Sequence, residues 1–245
     1  MVTPLETKHI SKSYGNERVL SDINLSLNSN ETLSILGRSG CGKTTLLKVL
    51  GGLESPDGGT VFVNQTDIQT LQPQDRDVVY LYQEALLFPH LTVFENIAFG
   101  LRLRKIDEKK VSKRTHTMIR KLQLNGMADR MPDQLSGGQK QRVSFGRALI
   151  TNPSVLLLDE PFGNLDAYTR SNMQELFKQI ANDLTITAVF VTHNVKEAIL
   201  MGDRIGSISE GGLTIYPSVE AFVESEKNGV QEEIEFWQSI DKNTN

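Results

Sequence analysis

Apolar and polar residues alternate with a period of two through the first third of the chain. Ile23, Leu25 and Leu27 are separated by Asn24 and Ser26, and short β-rich runs recur at Thr32 to Leu36, Thr60 to Val63 and Val78 to Tyr82, which is the pattern of strands. Turn formers divide them, at Asn28 to Asn30 (NSN) and Ser55 to Gly59 (SPDGG). From Val93 to about Leu149 the period becomes helical, with Val111, Thr115, Met118, Ile119 and Leu122 on one face. A strand is expected again at Ser154 to Leu158. A helix with Met173, Leu176, Phe177 and Ile180 as its buried stripe follows, and then a strand from Ile186 to Thr192. Strand, helix and strand in that order predict a parallel sheet with crossover helices. One more strand is expected beyond Gly211 and Gly212. The acidic tail from Glu224 to Asn245, with Ile234, Phe236 and Trp237, is expected to pack back on the rest. With no internal repeat or Pro-rich linker, residues 1–245 read as one α/β domain with two lobes.

Composition narrows the chemistry. The 245 residues are enough for a continuous apolar core. Lys and Arg number 26 against 30 Asp and Glu, a net charge of −4, which argues against a protein held mainly by nucleic-acid phosphates. No apolar run approaches the roughly 18 residues of a membrane helix. The start, MVTPLETKHISKSYG, lacks the charged and apolar regions of a signal peptide, so a cytoplasmic location is expected. The single cysteine, Cys41, can form no internal disulfide and is too few for a zinc site.

Two motifs carry the functional signal. Gly37 to Thr44 reads GRSGCGKT, the G-x-x-x-x-G-K-[ST] phosphate loop, set between the strand TLSIL and an expected helix TTLLKVLGG. Its glycines let backbone N–H groups turn around phosphate oxygens, Lys43 reaches the β and γ phosphates, and the Thr44 hydroxyl is suited to Mg²⁺. At average residue usage the four fixed positions arise by accident in roughly one such chain in a hundred. Leu135 to Gln139 reads LSGGQ, in which Ser136 is also a helix cap and Gly137 and Gly138 a turn. The buried run VLLLDE places Asp159 and Glu160 at the carboxyl edge of a parallel sheet, where the phosphate loop also lies.

With these motifs the chain resembles the ATP-binding cassette (ABC) family of transport ATPases over nearly its whole length. The resemblance implies a P-loop α/β fold with a β-rich N-terminal part, a parallel-sheet RecA-like core and a helical subdomain inserted at about residues 86–150. It implies ATP and Mg²⁺ as cofactors, with Gly37, Arg38, Ser39, Gly40, Cys41, Gly42, Lys43, Thr44 and Thr45 around the phosphates and Tyr14 stacked on adenine. Gln83, after VVYLYQ, matches the glutamine that meets Mg²⁺ and the attacking water. Asp159 matches the Walker B aspartate beside Thr44 at the metal, Glu160 the catalytic glutamate, and His193 in FVTHN the histidine near the γ-phosphate. Asp166 in GNLD matches a loop that crosses a dimer interface, and Leu135, Ser136, Gly137, Gly138 and Gln139 match the signature that meets the other copy's ATP. Arg38, Gly163, Asn164 and Asn194 depart from the commonest residues of the family, and none of them removes a group that performs chemistry.

The implied partners are a second copy of the ATPase, integral membrane permease subunits, and an external solute-binding protein; nucleic acid is not among them. The protein would then sit on the inner face of the membrane through the permease. LFPHLTVFENIAFGL, Leu87 to Leu101, resembles the segment of importer cassettes for small solutes. An exporter ATPase and a soluble cassette acting on nucleic acid or ribosomes are the alternatives. The permease is expected to dock at Leu86, Leu87, Phe88 and Pro89, beside Gln83. Cys41 is expected near a helix N-terminus, where the positive end of the helix favours a thiolate. Because the chain stops soon after its last expected strand, the shorter importer type without an added β-rich domain is expected.

Overall fold

The computed structural model describes residues 3–225; Ile234, Phe236 and Trp237 of the acidic tail lie outside the described residues. β1 (Leu5–Tyr14) and β2 (Glu17–Leu27) form a hairpin, and β1 also pairs with a later antiparallel strand. Between them in sequence come β3 (Thr32–Leu36), buried at every position, and helix α1 (Lys43–Gly51). β4 (Gly58–Val63) and the two-residue β5 (Thr66–Asp67) complete a four-stranded antiparallel sheet of order β2-β1-β4-β5. Alternation fails inside β1, where Leu5 and Thr7 are buried and the next buried residue is Ile10. His9 there has a φ of 56° and the register with β2 shifts, the signature of a bulge.

The second sheet is built from β3 and from β6 (Val78–Leu81), β7 (Val155–Asp159), β8 (Ala188–Thr192), β9 (Arg204–Ser209) and β10 (Gly212–Tyr216). Its order is β10-β9-β3-β8-β7-β6, parallel throughout except for the hairpin of β9 and β10. The central strands β3, β7 and β8 are covered on both faces and are buried at nearly every position rather than alternately. Leu157, Val189, Val191, Leu33 and Ile35 face α1 and the antiparallel sheet. Leu156, Leu158, Ala188 and Phe190 face the other side.

That other side holds the helices. Between β6 and β7 run α2 (Val93–Leu103), α3 (Glu108–Lys121) and α4 (Gly137–Leu149), and after β7 comes α5 (Ala167–Leu184). α3 buries Val111, Thr115, Met118 and Ile119 with Leu122 just beyond, and α5 buries Met173, Leu176, Phe177 and Ile180, the stripes read from the sequence. Phe145, Phe162, Phe177 and Phe190 form a chain of rings with centroids 5.2 to 5.9 Å apart, each burial worth about 1.5–3 kcal/mol. The short helices α6 (Val195–Met201) and α7 (Val219–Val223) close the end near β9 and β10 around Ala198, Ile205, Tyr216 and Phe222. Local signals set the helix starts. Thr92 and Ser136 each make a capping box with the Glu95 or Gln139 three residues on, and Asp107, Asp166, Asn194 and Ser218 cap with side-chain oxygens.

Candidate functional site

Parallel pairing brings the carboxyl ends of β3, β6, β7 and β8 to one edge of the sheet, and each runs into a candidate segment: Gly37 to Thr44, Gln83, Asp159 with Glu160, and His193. They surround a cavity of about 630 Å³ whose walls are Tyr14, Glu17, Val19, Ser39, Gly40, Gly42, Lys43, Thr44, Thr45, Gln83, Asp159, Glu160 and His193. That size lies within the usual range for a small-molecule site. Tyr14, at the end of β1, is half exposed, and the Lys12 ammonium lies 5.4 Å from its ring centre.

The loop before α1 has backbone requirements that only glycine meets. Gly42 has a φ of 107°, and a Cβ there would come within 2.9 Å of the Val19 carbonyl oxygen. Gly37 is closely overlaid by Ile208 and by the Cys41 sulfur, 2.5 Å from where its Cβ would stand. Cys41 packs against the apolar cluster under the loop, so its thiol fills space there instead of lining the cavity as a nucleophile would. Lys43 is buried and donates from Nζ to the carbonyls of Gly37 (2.8 Å) and Arg38 (3.1 Å), with Glu160 Oε1 at 3.5 Å.

Glu160 is the pivot of the edge. Its φ of 43° lies in the left-handed region, unusual for a residue with a side chain and costing about 1–2 kcal/mol. Its backbone N–H donates to Val191 O (3.1 Å), while Oε2 stands 2.7 Å from Nδ1 of His193. Asp159 is held on both oxygens. Thr44 Oγ1 donates to Oδ1 (3.2 Å) and the Tyr80 hydroxyl to Oδ2 (2.6 Å). Burial first, and then the Asp159 carboxylate, push the Tyr80 phenol far above its ordinary pKa, so it remains a donor. Gln83 donates to Asn164 Oδ1 at 3.5 Å, leaving its own oxygen available. Thr44, Gln83 and Asp159 thus offer oxygen ligands of the kind a hard cation takes. Among the described residues no three His, Cys, Asp or Glu side chains gather as a metal cluster.

The remaining candidates lie elsewhere. Ser136 and Gly137 are exposed at the start of α4, where Ser136 Oγ accepts from the N–H of Gln139 and Gln139 Oε1 from that of Ser136. A Cβ on Gly138 would meet Thr169 at 2.7 Å, and Leu135 is buried in the core and anchors the turn. Asp166 caps α5, and the Thr169 N–H holds its carboxyl below the usual carboxylate range. Leu86 is half exposed, whereas Leu87 packs on the core and Phe88 lies between Phe99 and the guanidinium of Arg147. Arg147 donates to Leu86 O at 2.6 Å. Of the expected apolar docking stretch, Leu86 and Pro89 are therefore exposed, while Leu87 and Phe88 are partly buried.

Sequence reasoning passed over Glu17 and Val19 in the cavity wall and Tyr80 behind Asp159. Tyr80 sits on the edge strand β6, and its pairing with Leu157 of β7 puts the two on one face, a register that the sequence of β6 alone does not carry.

A family model described as ABC transporter matches residues 20–163. The chain is 45% identical over 229 residues to the spermidine/putrescine import ATP-binding protein PotA of Legionella pneumophila, covering 93% of this chain and 63% of the relative. It is 44% identical over 211 residues to the sulfate/thiosulfate import ATP-binding protein CysA of Pectobacterium atrosepticum, covering 84% of this chain and 64% of the relative. The chain thus spans a little under two thirds of the length of these curated relatives. Among solved structures it is similar to cbiO1 of Clostridium perfringens, part of the ABC transporter complex cbiONQ, with a TM-score of 0.83, 25% identity, and coverage of 95% and 94% of the two chains. A dimeric ATP-binding cassette in a post-hydrolysis state with ADP and Pi matches with a TM-score of 0.75 at 31% identity, over 85% of this chain and 96% of the other.

Proposed function

The chain belongs to the ABC transporter family, and from that premise we propose that it is the ATP-hydrolysing subunit of a membrane importer. The observation that carries the reading is the convergence of Lys43, Thr44, Gln83, Asp159, Glu160 and His193 on one cavity at the carboxyl edge of the sheet. ATP would lie with its base against Tyr14 and its phosphates in the loop Gly37 to Thr45, where backbone N–H groups and Lys43 receive negative charge. Thr44, Gln83 and Asp159 would hold Mg²⁺, which when bound neutralises the β and γ oxygens. Glu160 would orient the attacking water and take its proton, with His193 steadying the carboxylate and the γ-phosphate. The exposed Ser136 and Gly137, outside this cavity, fit a role across a pair of identical copies, where each signature adds donors to the other copy's ATP. Residues 86–150 would form the helical lobe that carries this signature, and Asp166 would lie on the shared face.

The importer reading rests on the relatives, which are named for import, and on the similarity to a subunit of a transporter complex. Permease subunits would then dock at the exposed Leu86 and Pro89, on the inner face of the membrane, with an external binding protein in the full system. Spermidine and sulfate carry opposite charge, yet their ATPases match this chain almost equally. The solute is therefore chosen by other subunits. The test is phosphate release by the purified chain with ATP and Mg²⁺, beside Glu160→Gln, which keeps shape but takes no proton. The variant should bind ATP, elute as a dimer with it, and release no phosphate in steady state. A silent parent, or a variant as fast as the parent, overturns the reading.

A further inference from the structure

One buried carboxylate lies just behind the catalytic edge and is not used by it. Glu197, in the first turn of α6, is 8% exposed, and both of its oxygens are engaged. Thr192 Oγ1 donates to Oε2 (2.7 Å), Gln174 Nε2 donates to Oε1 (3.0 Å), and Arg170 Nε stands 3.8 Å from Oε1. Capping does not account for the charge, because Asn194 caps α6. Removing a carboxylate from water costs several kcal/mol unless it is paired, and packing α6 would need only an apolar or amide side chain.

Two of these partners of Glu197, Thr192 and Arg170, lead to the two catalytic loops. Thr192 Oγ1 also accepts from the N–H of Asn194 (3.0 Å), so the residues on either side of His193 are fixed. On the other side Arg170 donates from Nε to Phe162 O (3.2 Å) and from a terminal nitrogen to Leu165 O (2.8 Å). It thereby grips the segment between Glu160 and Asp166. Gln141 of α4, buried, donates to Pro161 O at 2.8 Å. Glu160 and His193 therefore meet at 2.7 Å on chains that are joined a second time, behind the sheet edge, through Arg170 and Glu197.

We propose that Glu197 and Arg170 form a brace that positions Glu160 against His193 and carries displacement of the Asp166 loop to both. This rests on the ATPase reading above. Both are positioning residues, since neither lines the cavity. A brace acts on the reacting geometry and not on nucleotide contacts, so its loss lowers kcat and spares binding. Its two halves act as one unit, so their losses do not multiply.

The experiment uses the full chain and the variants Glu197→Gln, Arg170→Gln and the pair together. Glu197→Gln keeps an acceptor for Thr192 and, if Gln174 turns its amide, a partner there, while losing the charge opposite Arg170. Each single variant should lower kcat about tenfold, with the dissociation constant for a fluorescent ATP analogue within about twofold of the parent. The double variant should be no slower than the slower single one. Amide hydrogen exchange without nucleotide should quicken in both 160–166 and 192–195 for either variant. Unchanged kcat, multiplied losses, a fall in affinity matching the fall in kcat, or exchange confined to the loop nearest the substitution each overturn the brace. Should Glu197→Gln fail to fold, Arg170→Gln, whose side chain is a third exposed, carries both readouts. A parent that hydrolyses no ATP defeats the ATPase reading alone, and the exchange pattern still decides the brace.

Discussion

Replacing Tyr80 with phenylalanine removes one oxygen and leaves the ring, its 4.6 Å contact with Tyr82 and its packing in place. What is lost is the hydrogen bond to Asp159 Oδ2. A bond to an ionised acceptor is worth about 1.5–3 kcal/mol. Asp159 is only partly buried, so water recovers some of this, and a net loss of about 1–2 kcal/mol is expected. The freed carboxylate can rotate away from Thr44, which holds Oδ1 at 3.2 Å. If most of the loss falls on the geometry around Thr44 and Asp159, the Mg²⁺ concentration for half-maximal ATP binding rises about three- to tenfold, at 1.4 kcal/mol per factor of ten. Turnover at saturating Mg²⁺ should stay near that of the parent. Because the phenol titrates far above neutrality, the effect should not vary with pH between 6 and 9, roughly the range in which unshifted Tyr is also protonated. A Mg²⁺ series, read by analogue binding and by phosphate release, together with urea unfolding followed by circular dichroism, measures all of these. An unchanged Mg²⁺ requirement with an unchanged midpoint refutes the reasoning, as does a fall in turnover that no amount of Mg²⁺ repairs.

Lys43→Ala and Ser136→Ala should each stop turnover in a homodimer, and mixing the two should restore part of it, because both defects can fall in one shared site; no recovery counts against shared sites. Gly42→Ala must adopt a φ of 107° and press on Val19 O, a cost of at least about 1–3 kcal/mol; thermal unfolding and analogue binding should both weaken, and a neutral result rejects the loop geometry. Leu86→Asp should break copurification with the permease and leave the fold intact, whereas Phe88→Asp should destabilise the protein itself; binding that survives Leu86→Asp places the contact elsewhere. The Asp166 carboxyl is depressed by the Thr169 N–H, so its contribution is complete above the unfolded pKa of about 3.9 and fades as pH falls through the folded value. Asp166→Asn should flatten the acid side of the stability profile, and an unaltered profile would deny the cap.

How far the sequence could be read follows from where the signal is local. The phosphate loop, the buried run ending in Asp159 and Glu160 and the stripes of α3 and α5 depend on neighbours within a few residues, and the elements lie where periodicity put them. β1 was not read as a whole because the bulge at His9 puts its two halves out of phase, so no single period spans Leu5 to Tyr14. β9 is not legible for a different reason: the two isoleucines of RIGSIS are three residues apart and so face opposite sides of the sheet, Ile205 toward Tyr216 and Phe222 and Ile208 toward the antiparallel sheet, leaving no alternating stripe. The bond from Tyr80 to Asp159 and the tie of Arg170 to Glu197 join residues 79 and 27 positions apart, and periodicity carries no information over such gaps. The direction of Cys41 was legible only in part, since a thiol in a phosphate loop can point either way and the space beneath Gly37 decides it.

The left-handed backbone at Glu160 sets evolution of this chain against itself. A glycine there would relax the turn, and asparagine would bear it more easily than glutamate does. The residue proposed to orient the attacking water is thus one whose backbone conformation the fold would hold more easily with another side chain. A library sorted by heat resistance alone would drift toward substitutions at this position and collect inert proteins. Selection on turnover would restore glutamate and accept the weaker fold. Stability and activity should therefore part company first at residue 160, and a variant there that melts higher but leaves ATP intact would be the expected product of such a screen.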